Sequence, residues 1–322
     1  MKSYWVRAHN GTTELEVRDI PVPQAKPGEI LLRVHATALN RGEFNARYQA
    51  DGGAKPGGHE AAGEVQVVGD GVAGIKPGDH IMGRAKGGFA EYALLDAYEA
   101  IPVPERLTWE QAAGVPVVFL ITYDMLYPYG KLRSGEWLLI TAASSGVGVA
   151  CLQTGKFLGA KVIGTSGSAD KLVKLKTIGL DVGIHTRAPD FAARVKAITD
   201  GKGANLIVNN IGGSVFSGCL RALAYQGRFA TVSTMDEVTK CEIDISELHA
   251  NRWELFGVSN RTRPAAKRAQ TVRDFTRDVL PGLADGRISP VIDRIFSFDE
   301  LPAARDYMES NAQVGKIVVR VS

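Results

Sequence analysis

The chain has 322 residues of which 45% are apolar, material for two domains at roughly 150 residues each with a core in both, which excludes bulk disorder. Lys+Arg at 38 against Asp+Glu at 35 leaves a net charge of +3 without a basic block, so DNA or RNA is not an expected partner. Three cysteines, Cys151, Cys219 and Cys241, contain no CxxC and cannot build a disulfide framework, as in a reducing compartment. Met1 runs through Lys2 and Arg7 into mixed sequence without a signal-peptide core, and no apolar run approaches the ~18 residues of a membrane span. The expectation is a cytoplasmic protein with no membrane partner.

Up to about residue 118, short apolar runs are broken by turn signals: Glu29 to His35, Gly63 to Val68, His80 to Met82 and Phe89 to Leu95, with the breakers Lys26-Pro-Gly28 and Lys76-Pro-Gly-Asp79. That rhythm predicts a β-rich, barrel-like domain. After Ser134-Gly135, six strand-like runs begin at Trp137, Lys161, Val182, Asn205, Arg228 and Trp253, alternating with stretches of helical period. Such alternation predicts an α/β domain with a doubly wound parallel sheet. A single long helix over 265–283 and strands over 291–296 and 316–321 complete the reading.

The run from Trp137 to Thr141 leads into Ala142-Ala-Ser-Ser-Gly-Val-Gly148 and an apolar helix from Val149 to Leu158. A turn of small residues lets a pyrophosphate approach backbone N–H groups at a helix N-terminus, where the dipole favours its charge. Set against G-x-G-x-x-G, Ala143 and Ser145 stand at the first two glycine positions and Gly148 at the third. A small-residue turn between strand and helix is structurally ordinary by itself. Its place as the first βα turn of the alternation, with a second strand ending near Thr165 roughly twenty residues on, favours dinucleotide binding. At that strand's end an NAD enzyme would carry an acid for the ribose hydroxyls; the segment here is Gly164-Thr-Ser-Gly-Ser-Ala-Asp-Lys171. Ser166, Lys171 and Arg187 supply a hydroxyl and two cations that suit a 2′-phosphate, although Lys171 alone reads sooner as a surface lysine and Asp170 subtracts charge, so the reading rests on the set. The expected cofactor is NADP(H).

The chain resembles the medium-chain dehydrogenase/reductase superfamily, and within it the zinc-free quinone oxidoreductase-like branch. The resemblance rests on Gly58-His-Glu-Ala-Ala-Gly63-Glu-Val with Gly69, Gly74 and Pro77-Gly-Asp79, on Asn40 in Leu39-Asn-Arg, on Gly87-Gly-Phe-Ala-Glu-Tyr92, on the small-residue loop and on Gly315-Lys-Ile-Val-Val319. It implies a GroES-like barrel over 1–119 and 261–322, rejoined by the C-terminal segment, a Rossmann domain over 120–260, and a cofactor in the cleft between them. It also implies cofactor contacts from Asn40, Thr122, Ser145, Gly146, Val147 and Gly148. Further along it implies Thr186, in place of a family tyrosine, with Arg187, then Asn210, Thr231, Ser233, Phe256, Gly257 and Lys316. The cysteine ligands of zinc-dependent members are absent, and His59 with Glu60 lacks the softer partners of a closed zinc site, so no metal is expected. After Asn40 the run departs from the branch: Glu43 replaces Asp, Ala50 replaces Gly, and Gly52 stands where a pocket tyrosine would be.

A metal-free site with a nicotinamide can reduce a quinone or an α,β-unsaturated carbonyl, because hydride addition leaves an enolate-type oxyanion that hydrogen-bond donors can hold. The candidate catalytic residues are Asn40 and Tyr48, with Arg41 as electrostatic support and Tyr123 as a second phenol; water could equally deliver the proton. Each tyrosine also reads as packing. Two alternatives stand beside this one: a redox-silent NADPH-binding sensor or structural protein, and an alcohol dehydrogenase-type activity. The apolar run Trp253 to Val258 is expected at a sheet edge, where pairing with a second copy would make a homodimer.

Overall fold

The computed structural model describes residues 1–9, 12–45, 53–260 and 262–321. Tyr48 lies outside the described residues. In chain order the strands are β1 (Lys2–His9), β2 (Thr12–Asp19), β3 (Glu29–Ala38), β4 (Lys55–Pro56), β5 (Glu60–Val68), β6 (His80–Arg84), β7 (Tyr92–Asp96) and β8 (Ile101–Pro102). There follow β9 (Trp137–Ile140), β10 (Lys161–Ser166), β11 (Val182–His185), β12 (Ala204–Asn209), β13 (Leu223–Thr231) and β14 (Glu254–Gly257), and finally β15 (Ile292–Ser297) and β16 (Lys316–Arg320). The chain divides into two compact units, Met1–Leu120 with Pro264–Ser322, and Ile121–Arg263.

In the first unit, a seven-stranded sheet runs β15-β16-β3-β5-β6-β8 with β7 also on β3, and β2-β1-β4 form a smaller sheet. Ile30, Leu32, Val65 and Leu95 pack a fully buried core beneath the larger sheet. Strand β16 pairs antiparallel with β3, Val318 opposite Ala38. This pairing delivers the C-terminal lysine of the Gly-Lys-Ile-Val-Val run to the end of β3, where Leu39 and Asn40 follow.

In the second unit, six strands lie in the order β11-β10-β9-β12-β13-β14, all parallel. Its central strands are continuous apolar runs, Leu138-Leu-Ile140 and Leu206-Ile-Val208, each residue fully buried, because helices cover both faces of a parallel sheet. Strand order reverses between β9 and β12, so the loop after β9 opens at the switch point where such sheets bind ligands. Among the described residues no helix is long and apolar enough to cross a membrane.

Three expectations shift. The long helix over 265–283 breaks into Ala265–Asp278 and Leu280–Asp285: Pro281 has no N–H to bond four residues back, and its ring would meet the Arg277 carbonyl. The helix after the small-residue loop starts at Gly146, not Val149, because Ser145 caps it. β13 begins at Leu223, ahead of Arg228.

Candidate cofactor and active site

In the second unit the loop residue Ala142 takes a left-handed φ of 47°, turning the chain sharply out of β9. Ser145 is the N-cap of the helix Gly146–Phe157 and its Oγ accepts the Gly148 N–H at 3.0 Å, satisfying one of the orphan donors of the first turn. A Cβ on Gly148 would lie 2.6 Å from the Ala143 carbonyl oxygen and 2.7 Å from that of Ala142; only glycine lets the helix sit this close to the turn. Asn209 and Asn210 knit β12 to β9. The Thr141 hydroxyl donates to Asn209 Oδ1 at 3.1 Å and accepts the Asn210 N–H at 2.9 Å, while Asn210 Nδ2 donates to the Thr141 carbonyl at 3.0 Å. Asn210 Oδ1 is buried and has no hydrogen-bond partner among the described residues. An orphaned buried acceptor beside a glycine cradle fits a ligand that brings its own donors, as a nicotinamide dinucleotide does.

At the end of β10, Ser166 Oγ accepts the Ser168 N–H at 3.2 Å, and Ser168 caps the helix Ala169–Thr177, its Oγ accepting the Lys171 N–H at 3.4 Å. The exposed Arg187 lies over Gly167: a Cβ there would be 2.6 Å from Nε and 2.8 Å from Cζ of the guanidinium. Thr186 bonds the Ser166 carbonyl through its N–H at 3.0 Å, and its hydroxyl donates to Asp190 at 2.7 Å. Among the described residues Arg187 makes no ion pair. Ser166, Thr186 and Arg187 therefore come together, with Lys171 in the first turn of the adjoining helix; Asp170 and Asp190 are the opposing charges.

Further along the sheet, Asn209 is in register with Thr231 and Thr231 with Gly257, so three expected cofactor positions, Asn210, Thr231 and Gly257, share the C-terminal ends of the strands, followed by Ser233. Phe256 tilts against Tyr129, centroids 5.8 Å apart. Thr122 is fully buried with Oγ1 3.4 Å from the sulfur of Cys151, whose thiol burial pushes up to about 12. Tyr123 is buried and stacked on Tyr127, centroids 4.6 Å apart.

In the first unit the sequence-distant Asn40, Glu60 and Lys316 form one buried cluster. Lys316 Nζ donates to the Leu39 carbonyl, to Asn40 Oδ1 and to Glu60 Oε1, each at 2.8 Å. Glu60 Oε1 also accepts Asn40 Nδ2 at 2.8 Å, and Oε2 accepts the Val117 N–H at 2.7 Å, capping the helix Pro116–Leu126. The ionic ends are 6% and 0% exposed. Glu43 takes the Asn40 N–H at 2.9 Å and the His59 N–H at 2.6 Å. Burial raises its carboxyl above the usual range, against the pull of His59 and the backbone donors. The His59 ring is 58% exposed, with Nδ1 3.4 Å from Glu43. Arg41 turns away: its Nη2 donates to the Met308 carbonyl at 2.7 Å and to Asn311 at 2.8 Å, at the C-terminal end of the helix Leu301–Glu309. That cap uses the guanidinium expected to support the reacting carbonyl.

Glu60 was the residue missed. Its one sequence signal, an acid inside an apolar strand after Gly58-His59, reads as a remnant of a metal site until Lys316 is seen beside it. Lys316 differs from its expected part: all three ammonium hydrogens go to protein acceptors, so none is left for a cofactor. Among the described residues no group of three or more His, Cys, Asp or Glu side chains gathers. The donors near Asn40 are a poor fit to zinc, since an ammonium already holds Glu60 Oε1 and the Asn40 carbonyl, and no thiolate joins them.

A parallel sheet in this order, with a small-residue loop and Gly148 at its switch point, is the arrangement of a dinucleotide-binding domain, here in one chain with a separate β-rich unit. Residues 26–105 match the alcohol dehydrogenase GroES-like domain and residues 146–276 the zinc-binding dehydrogenase family. The quinone oxidoreductase of Rattus norvegicus is 28% identical over 94% of this chain and 92% of its own. A mycobacterial protein solved in complex with NADPH superposes with a TM-score of 0.87 at 25% identity, covering 100% of both chains. The highly-reducing polyketide synthase 1 of Aureobasidium melanogenum is 29% identical over 94% of this chain, which spans only 14% of that protein's length. The chain belongs to the medium-chain dehydrogenase/reductase superfamily and is quinone oxidoreductase-like in sequence.

Proposed function

We propose that the chain is an NADPH-dependent, zinc-independent reductase of quinones or α,β-unsaturated carbonyls, acting in the cytoplasm as a homodimer. The observation that carries the cofactor reading is the end of β10, where Ser166, the Ser168 cap and Arg187 over Gly167 replace the acid that would hold NADH. Ser145 to Gly148 would take the pyrophosphate, Asn210, Thr231 and Gly257 the nicotinamide half, and Ser166, Lys171, Thr186 and Arg187 the 2′-phosphate. When bound, NADPH supplies the hydride. The protein then has an oxyanion to hold: Asn40 is the described donor for it, and Tyr48 keeps its expected part as a second. Likeness to a quinone oxidoreductase and to reducing synthases supports an electron-poor alkene or quinone over a simple alcohol.

The testing experiment compares both cofactors on a panel of enones and quinones. NADPH should exceed NADH by at least about tenfold in kcat/KM, since one charge-assisted contact made only to the extra phosphate is worth roughly 1.5 to 3 kcal/mol. Lys171→Ala should raise the KM for NADPH and spare that for NADH, with the difference shrinking as salt rises. Equal use of both cofactors by the wild type would refute the reading of the 2′-phosphate.

Zinc independence rests on the occupied donors around Glu60. Full activity is expected after exhaustive chelation, with zinc well below one ion per chain by elemental analysis; stoichiometric zinc lost together with activity would sink this part. The dimer rests on β14, a sheet-edge strand whose Phe256 has the 52% exposed Tyr129 tilted against it. An uncovered edge of this kind templates pairing with a second copy. Light scattering at micromolar concentration should give twice the chain mass, and a monomer would contradict the proposal.

A further inference from the structure

The Glu60–Lys316 pair is buried more completely than stability requires. Replacing such a pair by neutral groups of similar shape is often harmless or stabilising, so its retention calls for a task that depends on arrangement. That task is visible at Asn40. A carboxamide can sit in two orientations related by a half-turn, and at most sites the two differ little in shape. Here the ammonium faces Oδ1 at 2.8 Å and the carboxylate faces Nδ2 at 2.8 Å. The reversed amide would set its N–H groups against the ammonium and its oxygen against the carboxylate. The main chain is fixed as well, by Glu43 on the Asn40 N–H and by Lys316 on the Leu39 carbonyl. With one Nδ2 hydrogen on Glu60, the other reaches, among the described residues, only the Ala38 carbonyl at 3.5 Å, the outer limit of a hydrogen bond.

We propose that Glu60 and Lys316 are positioning residues that lock the Asn40 carboxamide in one orientation, so that its loosely held second Nδ2 hydrogen is presented to the reacting oxygen. This rests on the reductase reading above. It also accounts for Glu60 Oε2 on the Val117 N–H: that bond prevents the carboxylate from rotating away, so the lock has its own anchor.

The test uses Glu60→Gln together with Lys316→Met. In this neutral double variant the Val117 N–H claims the oxygen of the introduced carboxamide, which leaves the nitrogen of that group facing Asn40 and draws in Oδ1, so the Asn40 amide turns over. No buried charge is left unpaired, and thermal stability should match or exceed that of the wild type. NADPH affinity by fluorescence titration should stay within about threefold, while kcat for enone or quinone falls by at least about tenfold and the isotope effect with 4-deuterated NADPH rises. Those two readouts separate positioning from a merely structural role, which would leave turnover per folded site unchanged. Glu60→Gln alone sets two amide nitrogens against each other and should lower kcat in the same sense, so the proposal stays testable if the double variant fails to fold. Turnover within about twofold of wild type in a folded variant, with an unchanged isotope effect, would overturn it. If the wild type reduces none of the panel, the reductase reading falls by itself. Crystal structures of wild type and double variant then decide the lock: a reversed or disordered amide in the variant supports it, and an unchanged amide overturns it.

Discussion

Gly148→Val is expected to raise the dissociation constant for NADPH by about a hundredfold. The new side chain begins with a Cβ that would lie 2.6 Å from the Ala143 carbonyl oxygen and 2.7 Å from that of Ala142. Both are backbone atoms at a turn already held by Ala142 in a left-handed conformation, so neither can yield as a flexible side chain would. The strain is relieved by lifting the helix N-terminus off the loop, and binding must reimpose it. Overpacking of this kind costs roughly 1 to 3 kcal/mol, and at 1.4 kcal/mol per tenfold the upper end gives about two decades. Ser145→Ala should cost less, about 1 kcal/mol for a lost cap. Fluorescence titration measures both; affinity in Gly148→Val within about threefold of wild type would show that the loop does not cradle the pyrophosphate.

Glu60→Ala should destabilise the first unit by about 3 to 5 kcal/mol, because it strands a buried cation. Lys316 keeps only the Leu39 carbonyl and Asn40 Oδ1 for three hydrogens, and the Val117 N–H loses its acceptor. Hydrogen exchange at the amides of β3 reads this unit separately from the other. A loss below about 1 kcal/mol would mean that water reaches the ammonium after truncation and that the pair is less buried in solution than its geometry indicates. The contrast with the neutral double variant is informative: removing one partner is expensive and replacing both is not, so stability and turnover should separate.

The parallel sheet was legible because each of its strands is a local apolar run and each crossover a local helical period. The loop between Ala142 and Gly148 was legible for a similar reason: small residues must stand where a helix approaches a turn, and their spacing is short. The set at the end of β10 could be named because Ser166 and Lys171 are close in sequence and Arg187 follows the next strand. The break at Pro281 was legible in principle too, since a missing N–H needs no tertiary information, yet the helical period around it masked the signal.

What escaped reading from the chain involves partners hundreds of residues apart. Arg41 sits next to Asn40, and adjacency suggested a shared electrostatic role; its acceptors are 267 and 270 residues away, and nothing local marks them. Lys316 was named only through the Gly-Lys-Ile-Val-Val run, as an implied cofactor contact, and its partner Glu60 is 256 residues distant. By itself the sequence determined the α/β alternation, the small-residue loop and the lack of an acid after the second strand, because periodicity, steric size and charge act over a few residues. Only the tertiary structure decided which charges are spent within the protein. The pairing of β16 with β3 brings an ammonium, a carboxylate and a carboxamide into one desolvated cluster, and there each group's role is set by the partners it has already satisfied.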